Sequence, residues 1–155
     1  MNVLLVFMTV AIFTGSVIAF QDFKERLISL WLLIVYSGIC VLWIQKQSGW
    51  YGLLSNLLTT LLYFSFYILV IKLFYYLKEK KPTAIIDEKI GKADIILFFA
   101  IGLTMNIVEL IVFSTMAFSL AAVLSLLIFR NTKTIPLGGI LVLLHMVFMC
   151  NGFFE

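Results

Sequence analysis

The sequence predicts an all-α protein that crosses a membrane several times, and its composition and apolar runs both support this. Of the 155 residues, 63% are hydrophobic and only 12% are charged. A soluble domain is typically about half apolar and a quarter charged. The hydrophobic residues also gather in runs close to the roughly 20 residues that a spanning helix needs. We therefore expect a single integral-membrane domain over residues 1–155, without a sizeable soluble domain beside the helices.

Six apolar runs predict six transmembrane helices. The first run, 3–20, has no basic residue before it, because the first Lys or Arg is Lys24. This pattern favours a retained span over a cleaved signal peptide. The second run, 28–44, carries two tryptophans that suit anchoring at the membrane interface. The third run, 50–77, is longer than a vertical span requires, so we expect it to tilt or to project beyond the bilayer.

The last three runs follow the longest polar loop, and they cover residues 90–107, 110–129 and 135–149. Asp94 interrupts the first of these runs near its start. A tight turn is expected at Asn106 and Glu109, with Glu109 capping the fifth helix. Pro136 opens the sixth helix, where a proline is tolerated because its missing N–H loses no bond in the first turn.

The basic residues give an orientation. With six spans, the loops after the first, third and fifth share one side of the membrane. Ten of the eleven Lys and Arg residues lie in or beside those loops, and only Lys46 lies opposite. Such loops are cytoplasmic in membrane proteins, so both termini are expected outside. The net charge of +3 does not indicate a nucleic-acid partner, because the basic residues sit in short loops.

Two carboxylates, Asp22 and Asp94, lie at span boundaries on the predicted cytoplasmic side. An ionisable group at such a position is costly and is a functional hypothesis by default. Two carboxylates that share a site cannot easily both ionise, so one keeps a proton and the pair can act as base and acid. The alternative is that each is a helix cap or a solvated loop charge, and Asp94 could cap the fourth helix.

Three segments resemble signatures of the bacterial type IV prepilin peptidases. In their first signature, an Asp at the end of a span is followed, after five residues, by an aliphatic residue and proline; residues 22–29 resemble it. Residues 91–102 resemble their second signature, Gly-x-Gly-Asp, which continues into an apolar run closed by Gly. Residues 135–138 resemble the Ile-Pro-aromatic-Gly segment that opens their last span. The order and rough spacing match from Asp22 to Gly139.

The resemblance implies an intramembrane aspartyl endopeptidase of the Gly-x-Gly-Asp type, with Asp22 and Asp94 as its catalytic pair. Its partners would be membrane lipids and prepilin or pseudopilin substrates, which are cut after a short basic leader at the cytoplasmic face of the bacterial inner membrane. The chain starts at the first span and lacks the cysteine-rich region of the larger members. It is therefore similar to the small, peptidase-only branch, and methyltransferase activity is not expected.

Further residues are expected to support the active site or the substrate: Lys24, Arg26, Gly91, Lys92, Ala93, Pro136 and Gly138. Lys24 and Arg26 flank Asp22 in the sequence. They either set the topology near lipid phosphates or stabilise the ionised form of Asp22. Lys92, inside the second signature, allows the same two interpretations.

The sequence departs from these signatures at four positions. Ala93 replaces the second Gly, Ile96 stands where a Lys is common, Ser29 replaces the proline and Leu137 replaces the aromatic residue. A methyl group at position 93 would alter how closely helices approach. These departures indicate a divergent member of the family with unusual substrates, or a relative that does not cut peptides.

Two functions without proteolysis fit the same composition: a proton-coupled transport subunit and a structural partner in a membrane complex. A proton path would favour carboxylates distributed across the span, whereas both aspartates fall at one face and only His145 lies near the midplane. We predict that His145 is a hydrogen-bonding group between helices. Cys40 and Cys150 lie in separate apolar runs and indicate neither a zinc site nor a disulfide framework. No phosphate loop, nucleophilic triad or metal-ligand cluster is present, so no metal and no cofactor is expected.

Overall fold

The structure, a computed structural model, describes residues 3–79, 91–127 and 135–152. They form five helices, which are α1 (Val3–Glu25), α2 (Leu30–Glu79), α3 (Lys92–Gly102), α4 (Ile107–Leu127) and α5 (Leu137–Gly152). These three ranges contain no strand, so the all-α class is confirmed. The predicted loop between the third and fourth apolar runs lies mostly outside the described residues, and the predicted loop between the fifth and sixth runs lies wholly outside them.

The second and third predicted spans form one helix that is broken at Gly49. Gly49 has φ 68° and ψ −170°, a combination that is essentially restricted to glycine. It divides α2 into an arm of residues 30–48 and an arm of residues 50–79. At 1.5 Å per residue these arms are about 28 Å and 45 Å long. The second arm therefore exceeds the hydrocarbon core of about 30 Å, in agreement with the length of its apolar run.

The chain is a membrane protein by the length and composition of its helices. Within the described residues, three helices are long and apolar enough to cross a membrane: Val3–Glu25, Leu30–Leu73 and Ile107–Leu127. By contrast, α3 has 11 residues and α5 has 16. Their lengths of about 16 Å and 24 Å fall short of the hydrocarbon core. The count of six spans and the outward orientation of both termini stay predictions.

The fourth predicted span is shorter as a helix than as an apolar run, because a turn ends it. Thr104 N–H donates to the Ile101 carbonyl at 2.9 Å, an i→i−3 bond of the kind that tightens a helix end. Asn106 Oδ1 then accepts the N–H of Glu109 at 3.0 Å, while Glu109 Oε2 accepts the N–H of Asn106 at 2.8 Å. This reciprocal capping box confirms the predicted turn and the predicted capping role of Glu109.

The last helix, α5, packs on three of the other helices. It packs most extensively on α1, and it also packs on α3 and α4. Gly15 permits the close approach of α1, since a Cβ there would contact Met146 and would lie 2.7 Å from Val142 Cγ1. Both α1 and α3 pack on α5 more extensively than on each other. The position of α1 relative to α3 is therefore set through α5 together with α2, on which both helices also pack.

The single histidine joins three elements in the core. His145 is 1% exposed, and its Nδ1 lies 2.7 Å from the Tyr36 hydroxyl while its Nε2 lies 2.9 Å from Thr104 Oγ1. The prediction of a hydrogen-bonding group between helices is confirmed. Thr104 follows the C-terminal end of α3, so this polar cluster ties α2, α3 and α5 together away from Asp94. The two cysteines are not joined in a disulfide.

Candidate active site

Asp22 lies in the last turn of α1 and is buried, with 7% of its surface exposed. Its Oδ2 accepts the backbone N–H of Gly139 at 2.7 Å. Gly139 belongs to the first turn of α5, where N–H groups have no partner within the helix and carry partial positive charge. The N-terminus of α5 therefore offsets part of the cost of burying the Asp22 carboxylate, and burial remains the larger effect.

Asp94 is the third residue of α3 and is half-buried. The backbone N–H groups of Gly138 and Gly91 are hydrogen-bond partners of its carboxylate. Gly91 is the N-cap of α3, and a side chain three residues into a helix commonly reaches back to that N–H. Asp94 is therefore not the N-cap residue itself, but its contact with Gly91 is of the kind that supports a helix start. Capping does not explain the contact with Gly138, which belongs to α5.

The two carboxylates lie at the same end of α5 because their partners are neighbours in sequence. Asp22 Oδ2 is bonded to Gly139, and a Cβ at Gly138 would lie 2.8 Å from Asp94 Oδ1. Backbone geometry then limits the separation of these two oxygens to about 9 Å at most. The two side chains also interact electrostatically. Two acidic groups in this relation cannot easily both be ionised, so the pair can hold one proton beside one negative charge.

Positions 138 and 139 have no room for side chains. A Cβ at Gly138 would lie 2.7 Å from Ile28 Cδ1 and 3.1 Å from Leu97 Cδ1, and a Cβ at Gly139 would lie 2.9 Å from the Phe23 ring. The missing side chains let the backbone of α5 approach both carboxylates. Gly138 is among the residues expected to support the site. Gly139, Ile28, Leu97 and Phe23 are not among them. The adjacent glycine pair at a predicted helix start is the sequence signal that points to this close approach.

Pro136 is buried directly in front of α5. Its carbonyl accepts the N–H of Ile140 at 3.2 Å, the first bond of the helix. It therefore stands one residue before the helix rather than inside its first turn. Proline suits the start of a helix because the N–H groups there have no helical partner to lose, and Pro136 leads directly into the two glycines.

The basic residues near the aspartates differ in their surroundings. Lys24 is exposed, and its ammonium lies 5.5 Å from the centre of the Phe20 ring. Arg26 is half-buried, and the positive charge of its guanidinium acts on Asp22. Lys92 is exposed at the first residue of α3. The structure therefore distinguishes Arg26 from Lys24, which the sequence could not.

The departures from the signatures are accommodated locally. Ala93 is half-buried and packs against the core. Ile96 is 42% exposed, and residues two apart do not share a helix face, so it faces away from the side of α3 that carries Asp94. Ser29 donates its N–H to Gln21 Oε1 at 3.2 Å, a bond that a proline at this position could not make. Leu137 is half-buried and also packs against the core.

The chemistry available to this arrangement is that of two carboxylates at one end of a helical bundle. Within residues 3–79, 91–127 and 135–152, no three His, Cys, Asp or Glu side chains lie together as metal ligands would. A carboxylate pair that holds one proton can accept a proton at one oxygen and donate one at another. Such a pair can activate a water molecule and protonate a leaving group.

Comparison with known proteins supports a family assignment. A model of the type IV leader peptidase family matches residues 4–126, a range that includes Asp22 and Asp94. No curated protein and no solved structure matches the chain. The match ends before the Gly138–Gly139 segment, so the contribution of α5 to the site rests on the geometry.

Proposed function

The chain belongs to the type IV leader peptidase family, and from this membership we propose that it is an aspartyl endopeptidase for type IV prepilins or pilin-like proteins. It removes the leader peptide of these substrates. The observation that supports the proposal is the contact of Asp22 and Asp94 with adjacent residues, Gly139 and Gly138, at the start of α5. A carboxylate that only caps α3 would not need the contact that Asp94 makes with Gly138 in α5.

The two aspartates divide the proton transfers of hydrolysis. The ionised carboxylate accepts a proton from water as the water oxygen attacks the carbonyl carbon of the scissile bond. The protonated carboxyl then donates its proton to the amide nitrogen as the C–N bond breaks. The leader departs with a new carboxyl group, and the mature protein keeps a new amino group. The pair still holds one proton, now on the other aspartate.

The substrate reaches this pair at the membrane boundary. Asp22 belongs to the last turn of an apolar helix, and the excess of basic residues favours the cytoplasmic side for this end. The proposed membrane is the bacterial inner membrane. A prepilin whose apolar stem lies in the bilayer presents the junction with its leader at the same depth. Prepilins and membrane lipids are therefore the proposed partners.

Co-expression with a tagged pilin-like substrate tests the proposal. In a host without its own leader peptidase, we expect the native chain to remove the leader, and mobility and N-terminal sequencing of the substrate measure this. The control is the double variant Asp22→Ala/Asp94→Ala at equal membrane abundance, which we expect to leave the leader in place. Equal processing by the double variant would contradict the proposal. Absence of processing by the native chain across several pilin-like substrates would favour a transport subunit or structural partner of the same fold.

A further inference from the structure

Arg26 has an unusual backbone conformation directly after α1. Its φ of 56° is the only positive φ of a non-glycine residue in the described parts of the chain. This conformation is strained for residues with a side chain, so helix ends commonly use glycine there. The N–H of Arg26 donates to the Asp22 carbonyl at 3.2 Å. Arg26 therefore closes the helical turn that carries Asp22.

A second hydrogen bond holds the loop of residues 26–29 against α1. Ser29 donates its N–H to the side chain of Gln21 at 3.2 Å, and Gln21 is the residue before Asp22. Arg26 is half-buried and its Nη1 is buried. Burial disfavours the ionised form of Asp22, while the N–H of Gly139 and then the positive charge of Arg26 favour it. Strained residues that their surroundings hold in place are concentrated at functional sites.

The other groups around Asp22 do not reproduce this positive charge. The first turns of α2 and α5 contain no titratable side chain, and α5 contributes a backbone N–H. On α1, Lys24 and Glu25 are both exposed, and Lys24 lies over the Phe20 ring. On α3, the facing group is the carboxyl of Asp94, which carries no positive charge in either protonation state.

Asp94 experiences the opposite electrostatic influence. Burial and the negative charge of Asp22 both disfavour the ionised form of Asp94, and together they outweigh the backbone N–H groups of Gly138 and Gly91, which favour it. A proton shared by the two carboxylates is therefore favoured on Asp94, because Arg26 stabilises the ionised form of Asp22. The two aspartates are equivalent in chemistry but not in surroundings.

We propose that Arg26 is a positioning residue that keeps Asp22 ionised and leaves the shared proton on Asp94. This inference rests on the proposed function and assigns the two roles within it. Asp22 is the general base that accepts the proton of the attacking water. Asp94 is the general acid that protonates the departing amide nitrogen. After the C–N bond breaks, Asp22 holds the proton and Asp94 is ionised, and transfer of that proton back to Asp94 restores the starting state.

The pH dependence of leader cleavage tests the role of Arg26. Arg26→Gln is expected to move the acidic limb of the kcat/KM profile to higher pH by about one unit, because Asp22 ionises less readily without the positive charge. Arg26→Lys is expected to keep most of the native profile. Lys24→Gln removes the same charge from an exposed position and is expected to leave the limb in place.

Arg26→Gly separates the charge from the backbone conformation. Glycine fits φ 56° without strain, so the fold is expected to persist while the acidic limb moves as in Arg26→Gln. A native profile in both Arg26→Gln and Arg26→Gly would overturn the inference, although cleavage itself would still support the peptidase function. An equal shift in Lys24→Gln would also overturn it, because the effect would then be one of general surface charge.

Carbodiimide labelling provides a test that needs no substrate. Dicyclohexylcarbodiimide adds to protonated carboxyls, and mass spectrometry of the full chain in detergent locates the adducts. Near neutral pH we expect more labelling at Asp94 than at Asp22, and Arg26→Gln is expected to raise the pH at which Asp22 becomes labelled. Preferential labelling of Asp22 in the native chain would overturn the inference. The expected labelling without any leader cleavage would support the charge assignment and contradict the peptidase function.

Discussion

Replacement of either Asp22 or Asp94 by asparagine is expected to lower kcat/KM for leader cleavage about a thousand-fold. Asparagine preserves the size of the side chain, and its carbonyl oxygen can still accept an N–H at the start of α5. The helices are therefore expected to keep their positions. The amide can neither accept the proton of the attacking water nor protonate the leaving nitrogen, so each replacement removes one of the two proton transfers.

Cleavage of a purified pilin-like substrate in detergent measures this loss. The matched control is Glu109→Gln, which makes the same chemical change at the start of α4. Glutamine can keep the capping box with Asn106, so this variant is expected to cleave at the native rate. A rate within tenfold of native for either Asp→Asn variant would contradict the assignment of that aspartate to catalysis.

Gly138→Ala is expected to lower kcat/KM about a hundred-fold, since a misplacement of about 1 Å can have this effect on a catalytic group. The new Cβ would lie 2.8 Å from Asp94 Oδ1 and 2.7 Å from Ile28 Cδ1. Either α5 or the Asp94 side chain must then move, and the carboxylate loses its place beside Asp22. The same substrate assay measures the effect, and thermal unfolding in detergent measures the stability of the variant.

Two further variants separate the displacement of Asp94 from general crowding. Gly38→Ala adds the same methyl group where nothing lies within 4 Å, so native activity is expected. Gly138→Ala/Ile28→Val removes the Cδ1 atom nearest to the new methyl group, and we expect it to recover stability while activity stays low. Native activity in Gly138→Ala, or full recovery of activity in the double variant, would show that the contact with Asp94 does not matter for catalysis.

Local signals in the sequence predicted much of the fold. The lengths of the apolar runs correspond to α1 and to the two arms of α2. The Asn106–Glu109 capping box is specified by residue types three positions apart. The apolar run 90–107 predicted a longer helix than α3, because hydropathy does not register the i→i−3 bond that Thr104 makes at the helix end. In this part of the chain the apolar run is therefore longer than the helix that it contains.

The two acidic residues of the candidate site could be predicted from the sequence, but the residues around them could not. Asp22 and Asp94 are recognisable from their positions beside apolar runs. The bond from Gly139 to Asp22 depends on how closely α5 approaches α1, which residue spacing does not determine. Lys24 and Arg26 are alike in sequence, and only the backbone turn after Glu25 distinguishes them. That turn uses a positive φ at Arg26, a conformation that an arginine gives no reason to predict.

The proposed function depends on Asp22 and Asp94 lying together at the start of α5. Intramolecular cross-linking tests it most directly, in a chain whose Cys40 and Cys150 are replaced by alanine. With Asp22→Cys and Asp94→Cys introduced together, a flexible bis-maleimide is expected to join the two cysteines, as detected by mass spectrometry after proteolysis. Asp22→Cys with Glu109→Cys is the control pair, because Glu109 lies beyond the other end of α3, a helix of about 16 Å.

The control pair is expected to remain unlinked under the same conditions, with all introduced cysteines accessible to a single-headed maleimide. We expect a cross-link between positions 22 and 94 alone. Failure of that pair to cross-link while both cysteines react with the single-headed reagent, or equal cross-linking of the control pair, would contradict the proposed arrangement of the two aspartates.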